Sequence, residues 1–341
     1  MTAKKIVIAG GTGFIGRAVA EYFTKGNEVV ILSRGTRKSS DNSYRPFKIN
    51  QLAENVRVVN WDGKSQGEWG REIDGCDLVI NLAGKSVNCR YTSQNKQAII
   101  DSRVLPTAAI GEAIRNAIRP PFLWINAASA TIYRHAEDTP QDEYTGEIKN
   151  DFSVRVCKQW EAALFNVRAP FTRKIALRTA VTLGLGGVMV PYMNLVNWGL
   201  GGRQGAGTQM FSWVHIDDVC RAIEFLYTDV NAEGVYNLSA PNPVKNAEFM
   251  KVLREEAGRR IGLPAYKWML SVGAAVIGTE TELLLKSRWV VPAKLLKEGF
   301  RFKYPELQPA VHDIVATKKH HQQPVKTRQQ AGVDGAVIAA S

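Results

Sequence analysis

The feature that most constrains this chain is a run of glycines close to its start. Residues 4–9 (Lys-Lys-Ile-Val-Ile-Ala) form the short apolar run expected of a fully buried parallel strand. Gly10-Gly11-Thr12-Gly13-Phe14-Ile15-Gly16 follows at once, and Phe14 to Phe23 reads as a helix with Ile15, Val19 and Phe23 on one face. In such a strand–turn–helix unit each glycine has its own task. Gly10 permits the tight turn, Gly13 lets the backbone approach a pyrophosphate, and Gly16 lets the helix settle on the sheet. The helix N-terminus then faces the phosphates with unpaired N–H groups. Gly10, Thr12, Gly13, Phe14, Ile15 and Gly16 are therefore the expected phosphate-side residues of a dinucleotide site.

The rhythm downstream agrees. Apolar runs at Glu28 to Leu32, Asn55 to Asn60, Asp77 to Leu82, Leu123 to Ala127, Lys174 to Thr182 and Gly234 to Leu238 read as strands. Helical stretches fall at 94–118, where Pro106 is expected to kink or restart the helix, and at Val154 to Val167, Asp217 to Tyr227 and Ala247 to Ile261. Alternation of this kind predicts an α/β fold, a Rossmann-type doubly wound parallel sheet, carrying a small C-terminal substrate lobe. We expect the Rossmann domain to span 1–240, with a glycine-rich substrate-side loop at 184–212. The small C-terminal lobe is expected over 241–316, and a disordered tail over 317–341.

Selectivity within a dinucleotide site is set at the end of the second strand. An NAD site places Asp or Glu there to accept from the ribose 2′-OH. This chain has Ser33-Arg34 instead, with Arg37 and Lys38 beyond. Serine and arginine hydrogen-bond and neutralise a 2′-phosphate that an acid would repel, so the expected cofactor is NADP(H). The same residues also suit a merely solvated basic loop. Asp62, just after the third strand, either accepts from the adenine amino group or forms a turn before Gly63. Asn81-Leu82-Ala83-Gly84 closes the fourth strand, and its small residues let adenosine and ribose lie against the backbone of Leu82, Ala83 and Gly84.

Composition narrows the alternatives. The four cysteines, Cys76, Cys89, Cys157 and Cys220, are far apart, with no CxxC and no Cys/His cluster, which argues against zinc and a disulfide framework. The net charge of +12 raises a nucleic-acid hypothesis, but the basic residues are scattered, and charge alone reports electrostatics and not specificity. No metal, no nucleic acid and no membrane span are expected. The apolar stretch from Met269 to Gly278 is about half the length a spanning helix needs. A short polar start leading straight into a strand suggests no signal peptide and a cytoplasmic location.

Taken as a set, these residues resemble the extended short-chain dehydrogenase/reductases, the class that contains the nucleotide-sugar epimerases. The matching motifs are the GxxGxxG spacing, Asn81-Leu82-Ala83-Gly84, Ser129-Ala130-Thr131-Ile132-Tyr133 and Trp213-Val214-His215-Ile216-Asp217-Asp218. Within that class the chain is similar to an atypical "epimerase family protein" branch, through Ser102-Arg103, Trp160-Glu161, Arg178-Thr179 and Gly199-Leu200-Gly201-Gly202. Its C-terminal piece resembles that branch's domain of unknown function through Pro292-Ala293-Lys294-Leu295-Leu296 and Gly299-Phe300-Arg301-Phe302. The resemblance implies 2′-phosphate contacts at Ser33 and Arg34, ribose-side contacts at Leu82 and Ala83, a cofactor-contacting Arg103 and a position near the nicotinamide at Thr182. For Arg103 an ordinary ion pair on a helix surface is the alternative. A homodimer through helices flanking the sheet is the oligomer the resemblance suggests.

Catalysis is less simply read. Reductases of this class use Ser or Thr with a Tyr-x-x-x-Lys pair, whose four-residue spacing sets both side chains on one helix face. Ser129 fits the serine. In the expected helix Lys158 stands at the lysine offset, but Val154 occupies the tyrosine's place, and anchoring on Trp160-Glu161 slides the register and removes Lys158. Tyr133 is the nearest substitute acid, so Ser129, Tyr133 and Lys158 form the candidate catalytic set. Two readings follow: an NADP-dependent reductase or epimerase with non-standard acid/base residues acting on an unknown nucleotide-sugar-like or carbonyl substrate, or a non-catalytic NADP(H)-sensing or regulatory protein of the kind labelled cell-division-inhibitor-like.

Overall fold

A computed structural model describes residues 1–35, 55–266 and 286–322. Along the described chain run β1 (Lys5–Ala9), α1 (Phe14–Phe23), β2 (Glu28–Ser33), β3 (Val56–Asn60), β4 (Leu78–Asn81), α2 (Ser93–Asn116), β5 (Leu123–Ser129) and α3 (Phe152–Phe165). There follow β6 (Arg173–Thr179), β7 (Val181–Leu183), α4 (Met189–Asn197), β8 (Met210–Phe211), β9 (Trp213–His215) and α5 (Ile216–Thr228). The remaining elements are β10 (Gly234–Leu238), β11 (Val244–Lys245), α6 (Asn246–Glu256), α7 (Ala293–Lys297) and α8 (Leu307–Gln322).

The seven-stranded sheet has the order β3-β2-β1-β4-β5-β6-β10, and every pairing in it is parallel. Alternation along β1 explains how one sheet serves two cores. Ile6 and Ile8 join Val19 and Phe23 of α1 and Val219, Ile223 and Leu226 of α5. Val7 and Ala9 point the other way, into Trp61, Trp69, Trp124 and the Ile110 and Ile114 face of α2. Helices thus cover both faces, as an all-parallel sheet requires. A third core gathers α4, α6 and α8 around Met189, Val196, Phe249, Leu253, Val311 and Ile314.

Several expectations are corrected. The stretch read as one strand from Lys174 to Thr182 is two: β6 stays in the large sheet, while β7 leaves it to pair in parallel with β9. The segment 184–212 is not loop throughout, since α4 occupies Met189–Asn197 and buries Met189, Tyr192, Met193 and Val196. Pro106 does not break α2, which runs from Ser93 to Asn116 with the proline buried inside it. Helix α6 ends at Glu256, five residues before Ile261, because Gly258 adopts φ +68° just beyond it. At the C-terminus α8 continues to Gln322, past residue 317, where the tail was expected to begin. Residues 323–341 lie outside the described residues, as do Arg37, Lys38 and the apolar stretch from Met269 to Gly278. Among the described residues no helix is long and apolar enough to cross a membrane.

Candidate functional site

The site begins where β1, β4 and β5 end side by side. Gly10 has φ +76°, and a Cβ there would lie 2.8 Å from the Leu82 carbonyl carbon and oxygen. A Cβ on Gly16 would fall 2.4 Å from the Gly10 oxygen. Gly13 differs: its nearest neighbour would be the Gly10 oxygen at 3.5 Å, so protein atoms leave room there. Gly13 also caps α1 with no side chain bonding the helix N-terminus. Helices α2, α3 and α5 are instead capped by the side chains of Thr92, Asp151 and His215. Gly13, having no side chain, leaves the first turn of α1 without the side-chain cap those helices have. Thr12 is exposed, Ile15 packs on the α1/α5 core, and Phe14 lies against Gly184 and Gly187, where a Cβ would come within 2.8 and 3.0 Å of its ring. The substrate-side segment therefore rests directly on the glycine turn.

At the far end of the cleft, β2 closes with Ser33 half-buried and Arg34 exposed. The Arg34 side chain lies over Gly63, whose Cβ position is 3.9 Å from the arginine Cδ and equally far from Pro106 of α2. Asp62, expected either to meet adenine or to form a turn, forms the turn. Its Oδ1 accepts from the backbone N–H of Lys64 at 2.9 Å and of Ser65 at 2.8 Å, which draws its pKa down to about 2.

The end of β4 is shaped by a buried network. Asn81 donates to Asn126 Oδ1 at 2.7 Å and to Thr107 Oγ1 at 3.1 Å, and its own Oδ1 accepts from the N–H of Ala83 at 3.1 Å. That bond sets the turn in which Leu82, Ala83 and Gly84 expose their backbone. The Arg103 guanidinium lies against Gly84, 3.6 Å from its Cβ position, and 5.1 Å from the Trp160 ring. It donates to the Ile99 carbonyl at 3.0 Å and to Ser102 Oγ at 3.3 Å, and burial pushes its pKa down. The ion pair considered for Arg103 is not found among the described residues. Thr182 on β7 is 8% exposed and its Oγ1 has no hydrogen-bond partner among the described residues.

Of the candidate catalytic set, Ser129 closes β5 and is half-buried. Tyr133 does not serve as expected. It is 1% exposed, its hydroxyl donates to Asn237 Oδ1 at 3.0 Å and accepts from Arg178 at 2.8 Å, and burial raises its pKa. A phenol whose proton is committed inside the core is structural. Lys158 is exposed, on the side of α3 turned from the sheet. What α3 turns inward is Val154, Cys157 and Trp160, with the Cys157 sulfur 3.4 Å from Thr131 Oγ1. Lys158 thus does not share the buried face of Val154, Cys157 and Trp160. His215 is buried, and its Nδ1 accepts from the N–H of Asp217 at 3.2 Å as the cap of α5. Sequence reading passed over Thr131 and the inward face of Cys157, although the buried positions 154, 157, 160 and 164 share a helical spacing that marks that face.

Residues 6–154 match the model of the NAD dependent epimerase/dehydratase family, and residues 267–314 match a domain of unknown function. An epimerase family protein of Staphylococcus saprophyticus, SSP1921, is 32% identical over 315 residues, spanning 92% of this chain and 99% of that protein. The chain belongs to this epimerase family. The mouse epimerase family protein SDR39U1 is 31% identical, over 92% of this chain and 100% of the relative. The crystal structure of human SDR39U1 with NADPH superposes with a TM-score of 0.78 at 28% identity, covering 91% of this chain and 99% of that one. A nucleoside-diphosphate sugar epimerase from Corynebacterium glutamicum gives a TM-score of 0.68 at 28% identity, over 93% of this chain and 59% of that chain.

Proposed function

We propose that this epimerase-family chain binds NADP(H) along the C-terminal edge of its sheet and uses it on an unidentified carbonyl or nucleotide-sugar-like substrate. The observation that carries the reading is the end of β2, where Ser33 and Arg34 stand in place of an acid and Arg34 folds over Gly63 beside the end of β3. A 2′-phosphate placed there meets a guanidinium and a hydroxyl. The remaining residues fit the cofactor. The space at Gly13 and the N-terminus of α1 suit a pyrophosphate, the Leu82–Gly84 backbone suits a ribose, and the Thr182 hydroxyl, without a partner among the described residues, suits the amide of a nicotinamide. Arg103, a half-buried cation with no carboxylate partner among the described residues, supplies positive charge to the same edge.

Bound there, the cofactor supplies a hydride; the chain supplies orientation and a proton. Ser129 is the group this chain presents at the end of β5, and neither Tyr133 nor Lys158 joins it. That last observation also favours a second reading, an NADP(H)-sensing protein without turnover. Binding is tested by thermal shift and calorimetry with NADPH and NADH. Oxidation of NADPH in the presence of aldehydes, ketones and nucleotide sugars favours the reductase reading. Tight binding with no oxidation across that panel favours the sensor.

A further inference from the structure

We propose that the proton donor of this site is a relay running from Cys157 through Thr131 to Ser129, with Ser129 handing the proton to the substrate. The inference deepens the NADP(H)-dependent reading above and rests on it. Its basis is the hydrogen accounting at the end of β5. Ser129 Oγ accepts twice, from the N–H of Thr131 at 3.2 Å and from the Thr131 hydroxyl at 2.9 Å. Its own hydrogen has no acceptor among the described residues and remains for a ligand. Thr131 has spent its single hydroxyl hydrogen on Ser129, so its contact of 3.4 Å with the Cys157 sulfur must be one in which the thiol donates. The three groups thus form a chain of one polarity, from a buried thiol outward to a half-exposed hydroxyl.

The surroundings suit this. Cys157 comes from α3, Thr131 and Ser129 from the turn that ends β5, and Arg103 of α2 and Arg288 act on the thiol with positive charge. Glu161 opposes them, and burial raises the thiol pKa overall, so the sulfur holds its proton at neutral pH. In the reductive direction the substrate carbonyl carbon accepts a hydride, two electrons and a hydrogen nucleus, from the dihydronicotinamide. The carbonyl oxygen takes the Ser129 proton, Ser129 takes that of Thr131, and Thr131 takes that of Cys157. The products are an alcohol, the oxidised nicotinamide and a thiolate favoured by the positive charges of Arg103 and Arg288. A proton from water restores the thiol once the alcohol leaves.

Infrared spectroscopy of the full chain tests this through the S–H stretch, a window clear of cofactor bands. Subtracting the spectrum of Cys157→Ala assigns the Cys157 band. Thr131→Val is expected to shift that band to higher frequency, toward an unbonded thiol, while Ser129→Ala leaves the thiol bonded. An unmoved band in Thr131→Val overturns the relay. A second arm compares the protein saturated with NADPH and with NADP+, which differ by one charge on the nicotinamide. A relay that ends beside the ring shifts its band between the two, whereas a thiol that only packs the core gives the same band with both and overturns the proposal. Nucleotide binding is measured separately on wild type. Its failure removes the cofactor reading, while the Thr131→Val comparison still decides the hydrogen-bond chain.

Discussion

Arg178 on β6 and Glu161 on α3 form a two-pronged ion pair, Nε to Oε1 at 2.8 Å and the second nitrogen to Oε2 at 2.9 Å, with both side chains about nine-tenths buried. The same guanidinium donates to the Tyr133 hydroxyl, which donates in turn to Asn237 on β10. One network therefore fixes α3, and with it Cys157, against β6, β10 and the turn after β5. Glu161→Ala leaves a buried cation without its carboxylate and is expected to cost about 3–5 kcal/mol in urea unfolding. Tyr133→Phe removes only a neutral phenol and is expected to cost about 1–3 kcal/mol, with nucleotide affinity unchanged. A fall in NADPH affinity in Tyr133→Phe with an intact fold would return Tyr133 to the site.

The glycines separate folding from binding. Gly16→Ala forces a methyl to 2.4 Å from the Gly10 oxygen and is expected to lower the melting temperature with or without nucleotide. Gly13→Ala meets only the oxygen at 3.5 Å at an ordinary φ of −75°, so the free protein should keep its melting temperature to within a few degrees. NADPH affinity should nonetheless fall by about tenfold or more, as a methyl displaces the phosphates. Equal affinities for Gly13→Ala and wild type would mean that the pyrophosphate lies elsewhere.

Much of this was legible in the sequence because it is set locally. The glycine turn, α1 over Phe14–Phe23 and β10 over Gly234–Leu238 depend on short patterns, and the structure places them at those residues. The departure of β7 from the sheet was not legible, since Lys174 to Thr182 carries no Gly or Pro to break one strand and only the pairing of β7 with β9 divides it. Helix α4 was hidden by the glycines around it, and its stability comes from the third core and not from its own propensity. Tyr133 misled because sequence nearness to Ser129 says nothing of direction: the turn after β5 sends Ser129 to the cleft and Tyr133 to the core.

Acid stability follows from the edge of the sheet. The Arg57 and Lys5 cations hold the Glu72 carboxyl at about 2, below its ordinary value of 4.5. A carboxylate depressed on folding contributes stability that is full above pH 4.5 and is lost as pH falls through 2. Glu72→Gln should therefore narrow the gap in stability between pH 6 and pH 3 without altering NADPH affinity. Urea midpoints across that range check it, and an unchanged pH dependence would contradict it.

Thiol counting tests the placement of the cysteines. Burial pushes the Cys76 and Cys220 thiols up to about 12 and raises Cys157, while Cys89 is half-exposed. At pH 8 one of the four thiols should react promptly with Ellman's reagent, and all four after denaturation. Prompt reaction of a second thiol, traced to Cys157 by its loss in Cys157→Ala, would place that sulfur at the surface.

The central claim is that the end of β2 selects a 2′-phosphate, and paired titration of NADPH and NADH into wild type and Arg34→Asp tests it most directly. Wild type should bind NADPH at least about tenfold more tightly than NADH, and Arg34→Asp should abolish or reverse that preference by weakening NADPH alone. Equal affinities in wild type, or an undiminished preference in Arg34→Asp, would contradict it.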